Sequence, residues 1–201
     1  MSSLRRGVRQ EPVDQLLVEY PNANSERRCA LIESLGESID ERVVLLFVSD
    51  LSDKSQDELV RVEILKALPF RNDNPEAWRQ FGVIVSQLLI GPDDLLVRQY
   101  AACAMRAFIE LDGVVRLLTE VIRDELEDSS VRHNALSSLE RNVFRPPCRA
   151  ALEGLVDIPG LGQSALRTLK RNPVSEPVQD QNRHFLAASD MSCRGAGSKG
   201  P

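Results

Sequence analysis

Two histidines, His133 and His184, and four cysteines, Cys29, Cys103, Cys148 and Cys193, are the side chains of this 201-residue protein best suited to nucleophilic or metal chemistry. Their spacing supports neither. A nucleophile needs a nearby base to take its proton, and a structural zinc needs paired Cys or His ligands a few residues apart. The chain contains no C-x-x-C, no H-E-x-x-H, no G-x-S-x-G and no phosphate-binding loop ending in Gly-Lys-Ser/Thr. The "GLG" at Gly160 to Gly162 is too short to cradle a phosphate and reads as a turn between helices. Acidic groups such as Glu37/Asp40/Glu41, Asp124/Glu125 and Glu127/Asp128 fall at helix ends, whereas Ca²⁺ requires six or more convergent oxygens. No catalytic group, no metal ligand and no bound cofactor is therefore expected, and the expectation is a non-catalytic protein.

Such a chain offers a surface, and the elements that would carry it are written as a repeat. Hydrophobic residues make up 42% and charged residues 27%, but aromatics only 4%. A core built from Leu, Val, Ile and Ala favours helices over a β-sandwich. Asp57 to Arg61 reads DELVR, Asp94 to Arg98 reads DLLVR, and Asp128 to Arg132 reads DSSVR. Three, four and seven residues beyond each arginine stand Ile64, Leu65 and Leu68; Ala101, Ala102 and Met105; Ala135, Leu136 and Leu139. These offsets return to one face of an α-helix. Arg27 supplies a degenerate first copy, followed by Ala30 and Leu31 but Ser34 in the third place. From Arg27 to Arg61, Arg98 and Arg132 the steps are 34, 37 and 34 residues.

Ahead of each marked helix lies another amphipathic one, at 13–20, 41–51, 75–89 and 113–126, with Asn74 placed to cap the third and Pro75 to open it. A fifth pair spans "PPCRAALEGLV" and "LGQSALRTLKRN". In each marked helix the Asp is expected to cap, the Val to make the first core contact, and the Arg to reach an acid of the neighbouring repeat. Asp57, Arg61, Asp94, Arg98, Asp128 and Arg132 would then form a structural ladder along the stack.

The D-x-x-V-R helix followed by small and apolar residues resembles the second helix of a HEAT repeat, over about residues 11–172 and most closely over 57–140. The resemblance implies an all-α protein, an α-α superhelix of about five antiparallel helix pairs whose marked helices line the concave side. Residues 1–10 are expected to be a flexible basic N-terminus, 11–172 the repeat domain and 173–201 a flexible C-terminal tail. One HEAT-like subfamily carries His-Glu metal motifs for a di-iron hydroxylase, which this chain lacks. DNA-alkylation-repair relatives use a basic, Trp-bearing groove, whereas the body here is acidic and its single Trp, Trp78, opens a predicted convex helix.

Charge and position then point to a partner. Residues 11–140 hold 13 Lys+Arg against 25 Asp+Glu, while 141–172 hold six against two, within a net charge of -5. An acidic body repels a phosphate backbone and attracts a basic protein. Positions one, two, five and nine beyond each arginine point away from the core. They nominate Arg28, Glu63, Lys66, Gln99, Tyr100, His133, Asn134, Ser137 and Arg141 as the concave binding face, together with Cys29, Val62 and Cys103. Tyr100 is the natural anchor, because its ring and hydroxyl are ordered at little entropic cost.

The expected function is a non-catalytic protein-protein interaction module binding a basic partner on a concave acidic surface, with an inhibitor or immunity protein of a bacterial toxin as one form. The alternative is an accessory or lyase-like factor holding a small cofactor such as a bilin in the groove. The longest apolar run, Val43 to Val48, is far short of a membrane span, and the opening residues lack the apolar core of a secretory signal. A cytoplasmic protein without a membrane partner is expected.

Overall fold

Short polar side chains set where the helices begin. The Asn24 side chain accepts from the Arg27 N–H, Asp40 from Arg42, Asp57 from Leu59, and Asp128 from Ser130 and Val131. Each satisfies N–H groups that the first helical turn leaves without a partner. Pro146 and Pro147 open a further helix, where their missing N–H groups cost nothing. The computed structural model describes residues 13–36, 38, 40–68 and 75–173. Among them run ten α-helices: α1 (Val13–Glu19), α2 (Ser25–Leu35), α3 (Glu41–Ser52), α4 (Glu58–Ala67), α5 (Pro75–Ile90), α6 (Leu95–Ala104), α7 (Val114–Arg123), α8 (Ser129–Glu140), α9 (Pro146–Glu153) and α10 (Gly162–Arg171).

The described residues form no strand. The helices associate as five pairs, α1/α2 through α9/α10, stacked in chain order as an all-α solenoid. The compact unit ends at Arg171. The expected N-terminal segment 1–10, the tail beyond Pro173 and the Asn74 cap lie outside the described residues. One predicted helix, 113–126, is shorter than expected, because Asp124 to Glu127 form the turn after α7.

The second helices pack on one another along the stack, α2 on α4, α4 on α6 and α6 on α8, more intimately than α3, α5, α7 and α9 do on theirs. A stack whose one layer is drawn closer than the other curves toward that layer, so the second helices form the inner side. Small residues permit the approach. A Cβ on Gly36, at the end of α2, would lie 2.8 Å from the Cβ of Ala67 on α4. Gly82 on α5 likewise leaves space that Leu111 and Phe108 fill. The residues three, four and seven beyond Arg61, Arg98 and Arg132 are all buried, as the periodicity predicts.

The first copy is read one residue out of register. Arg28, not Arg27, stands four residues beyond its N-cap Asn24, as Arg61, Arg98 and Arg132 do beyond Asp57, Asp94 and Asp128. Three, four and seven residues after Arg28 come Leu31, Ile32 and Leu35, all buried. Arg27 instead pairs with Glu19 at the surface.

The ladder is present, but its acids are not the capping aspartates. Arg61 donates both terminal nitrogens to Asp93, at 2.8 and 2.7 Å, and Arg98 pairs with Glu127. Arg28 reaches the Gln56 side chain at 3.2 Å. Gln56, Asp93 and Glu127 each stand immediately before an N-cap residue, and each also accepts the N–H of that residue. The same arginines turn back on the first helix of their own pair. Nε donates to Tyr20 O in Arg28, to Leu89 O in Arg98 and to Ile122 O in Arg132. Arg61 uses a terminal nitrogen for Leu51 O at 3.4 Å, and its buried Nε has no partner among the described residues.

One guanidinium thus closes the C-terminal end of one helix and holds the turn of the next pair. Asp57 and Asp128 cap their helices, Asp57 also hydrogen-bonding the Ser25 side chain of the preceding pair, while Asp94 makes no capping bond with its side chain. Among the described residues Arg132 pairs with no acid, since Gly160 holds the corresponding place in the last turn.

Burial decides what each rung costs to break. Arg61 and Asp93 are 1% and 7% exposed at their side chains. Removing one member of such a pair strands the other charge in the interior, at about 3–5 kcal/mol. Arg61→Ala should therefore lower unfolding free energy by about that amount. Arg98→Ala, at a wetter rung, should cost about 1–3 kcal/mol. Urea denaturation of both, with exposed Arg79→Ala as the control, checks this. A loss for Arg61→Ala no greater than for Arg79→Ala would remove the structural role.

Burial by itself raises the Asp93 carboxyl, but the Arg61 hydrogen bonds and charge and the Asp94 N–H outweigh it and hold the group below its usual value. A carboxyl depressed in the folded state contributes stability above its unfolded pKa and loses it as pH falls through the folded one. Wild-type stability should therefore drop as pH falls below about 4. In Asp93→Asn it should be lower at neutral pH and fall less with acid, as read by unfolding at stepped pH.

Candidate functional site

Two surfaces result from this packing: the inner face, and the edge where the turns within each pair line up. Three helices bring the central inner-face residues together. On α4, Glu63 and Lys66 are one turn apart and hydrogen-bonded, which raises the Lys66 ammonium above its ordinary value. The Lys66 Nζ lies 5.3 Å from the centre of the Tyr100 ring on α6, a cation-π contact that ties the two repeats. On α8, Asn134 donates to the Gln99 carbonyl of α6 at 3.1 Å. Glu63, Lys66, Gln99, Tyr100 and Asn134 therefore form one cluster across three repeats.

Other nominated residues go elsewhere. Arg28 belongs to the ladder, as described above. Val62 is buried between helices. His133 is exposed and sits 2.7 Å from the Ser129 carbonyl of its own helix. Ser137 is half-buried on α8, and Arg141 is exposed at its end. Arg141 and Arg106 together offset part of the effect of burial on the Cys103 thiol. Burial is the main cause that pushes the thiols of Cys29, Cys103 and Cys148 up, the opposite of what a nucleophilic cysteine needs.

Sequence reasoning missed a second set of inner residues. Ser138 donates to the Ala102 carbonyl at 2.7 Å, joining Asn134 in stitching α8 to α6, and Asn142, in the turn after α8, donates to the Arg106 carbonyl just beyond α6 at 3.2 Å. The spacing of four residues from Asn134 to Ser138 was the available signal, since it keeps both on one stripe of α8.

The acidity expected of the concave face lies mostly on the turn edge instead. On the inner side the acids Glu33 and Glu63 are balanced by Lys66 and, near Cys103, by Arg106 and Arg141. The five turn segments 19–26, 50–58, 90–95, 123–129 and 153–162 hold 14 Asp+Glu against two basic residues, Lys54 and Arg123. The physical reason is helical: carboxylates collect at N-caps and first turns, where free N–H groups and the positive end of the dipole favour them. Arg28, Arg61 and Arg98 tie the first four of these turns one to the next, so their charges succeed one another along the edge.

A separate cleft of about 700 Å³ opens on the side of the turns between pairs, lined by Ile109 to Gly113, Val115, Arg116 and Arg145 to Cys148. Among the described residues no three His, Cys, Asp or Glu side chains group closely enough to hold a metal ion. Nor is any described helix long and apolar enough to cross a membrane.

Fold and surfaces define the class: a solenoid of stacked helix pairs with a mixed-charge inner face and an acidic edge. No protein family matches the chain, and no curated protein does. Seven chains of solved structures match, among them human deoxyhypusine hydroxylase in complex with glycerol. That match has 17% identity and a TM-score of 0.29, and covers 80% of this chain and 86% of the other. The expectation of a non-catalytic protein is corrected here, because the matched structure is an enzyme. Likeness at this level assigns no residue a role.

Tyr100 is half-buried, and its main described contacts are apolar neighbours and Lys66. Tyr100→Ala should therefore cost about 1 kcal/mol, well under the 3–5 typical of a fully buried aromatic. Thermal unfolding checks it, and a loss in the buried range would show that the ring supports the core.

Proposed function

We propose that this solenoid binds another protein, gripping it with the inner-face cluster around Tyr100 while the acidic edge attracts basic groups of the partner. The observation that carries the reading is the cluster itself: a half-buried aromatic ring, an ammonium, a carboxylate and an amide brought together from three successive repeats. Aromatic and polar side chains held on rigid helices bind with little loss of rotamer freedom. The edge adds long-range attraction, which speeds encounter with a basic protein and weakens as salt rises. An inhibitor or immunity protein against a basic toxin in the cytoplasm is the specific form favoured by the chain's net acidity. It shares the general HEAT-like design of repeats presenting a curved surface.

Affinity capture from extracts of the source cells, comparing wild type with Tyr100→Ala/Lys66→Ala, tests the reading. The wild type should retain a basic protein at low salt, and the double variant should retain about tenfold less. Capture that ignores both the variant and the salt concentration would remove the inner face from the account.

A further inference from the structure

The turn edge carries more than charge. Leu59 and Leu95 stand at the first exposed positions of α4 and α6, Ile90 ends α5, and Leu126 is 98% exposed in the turn between α7 and α8. Scattered exposed leucines need no explanation. They recur at the turn ends of three successive pairs, and three of the four stand beside a carboxylate: Glu58 at Leu59, Asp94 at Leu95, Glu125 at Leu126. The ladder ties the turns that carry them, Arg61 reaching Asp93 and Arg98 reaching Glu127.

We propose that this edge is a docking strip for a basic amphipathic helix of a partner protein, distinct from the inner face. Apolar side chains would receive the helix's apolar stripe and the neighbouring carboxylates its flanking lysines or arginines. Charge complementarity selects this occupant, because an acidic or nucleic-acid partner would be repelled along the whole edge. Spacing agrees. Packed helices repeat at about 8–10 Å, and an apolar residue at every seventh position of a helix recurs at about 10 Å. Apolar anchors at heptad intervals on a basic helix therefore match one leucine per turn.

The test uses the full chain and a synthetic peptide of about three heptads, with Leu at every seventh position and Lys on both flanks. Binding is followed by fluorescence anisotropy. A second peptide of equal charge replaces each Leu by Ser. The strip predicts binding of the Leu peptide that weakens with salt, at least about tenfold weaker binding of the Ser peptide, and a similar loss in Leu59→Ser/Leu95→Ser/Leu126→Ser. These three side chains are exposed, so the triple variant should keep its helical circular dichroism. Tyr100→Ala/Lys66→Ala should bind the peptide as the wild type does. Absence of binding, equal binding of the two peptides, or indifference to the triple variant would each overturn the strip. Loss only in the inner-face variant would overturn it too, while upholding the inner face as a binding surface.

Discussion

A guanidinium withdrawn from water has to be supplied with acceptors, and that constraint organises this protein. Arg61, nearly inaccessible, takes two carboxylate oxygens from the next turn and a carbonyl from the preceding helix end. Arg98 and Arg28 repeat the arrangement with Glu127 and Gln56. Because the fork is planar and the acceptors are fixed by capped turns, the geometry admits one register between successive pairs. Apolar packing alone would tolerate some sliding of helix on helix. A stranded buried charge would not.

The ladder also has ends, and they are set by residue type. The turn before the first ladder arginine, Ala23-Asn24, has an alanine where later turns carry Gln56, Asp93 or Glu127, and no earlier pair exists among the described residues to need an acceptor there. In the last turn Gly160 offers no side chain to Arg132, and α9/α10 is held by other means, including the Arg123 bond to the Gly154 carbonyl. Placing the acids in the turns leaves the inner face with mixed charge, which separates attraction at a distance from contact at the cluster.

Much of this was legible in the chain. The D-x-x-V-R spacing located three second helices and their buried positions, because helical periodicity and capping are local properties. The acceptor of each rung was also in plain view, one residue before the aspartate. It went unread because Asp94 and Asp93, or Asp128 and Glu127, look alike as letters and differ only in where a turn points them. The first copy slipped by one residue for a similar reason: Arg27 and Arg28 are adjacent, and Asn24 rather than Asp marks the cap. The bonds of Ser138 and Asn142 stayed hidden, and Asn134 was nominated without its bond, because the acceptors are backbone carbonyls, which no residue type reveals.

By itself the sequence determined the class of fold, the number of helix pairs and the face that α4, α6 and α8 bury, since these follow from local periodicity and from helix-start chemistry. Only the tertiary structure decided which charge meets which arginine, that the carboxylates gather on an edge instead of the inner face, and that Lys66 and Tyr100 meet across two repeats. Those outcomes depend on the rotation and rise between neighbouring pairs, a few degrees and ångströms that no single helix encodes.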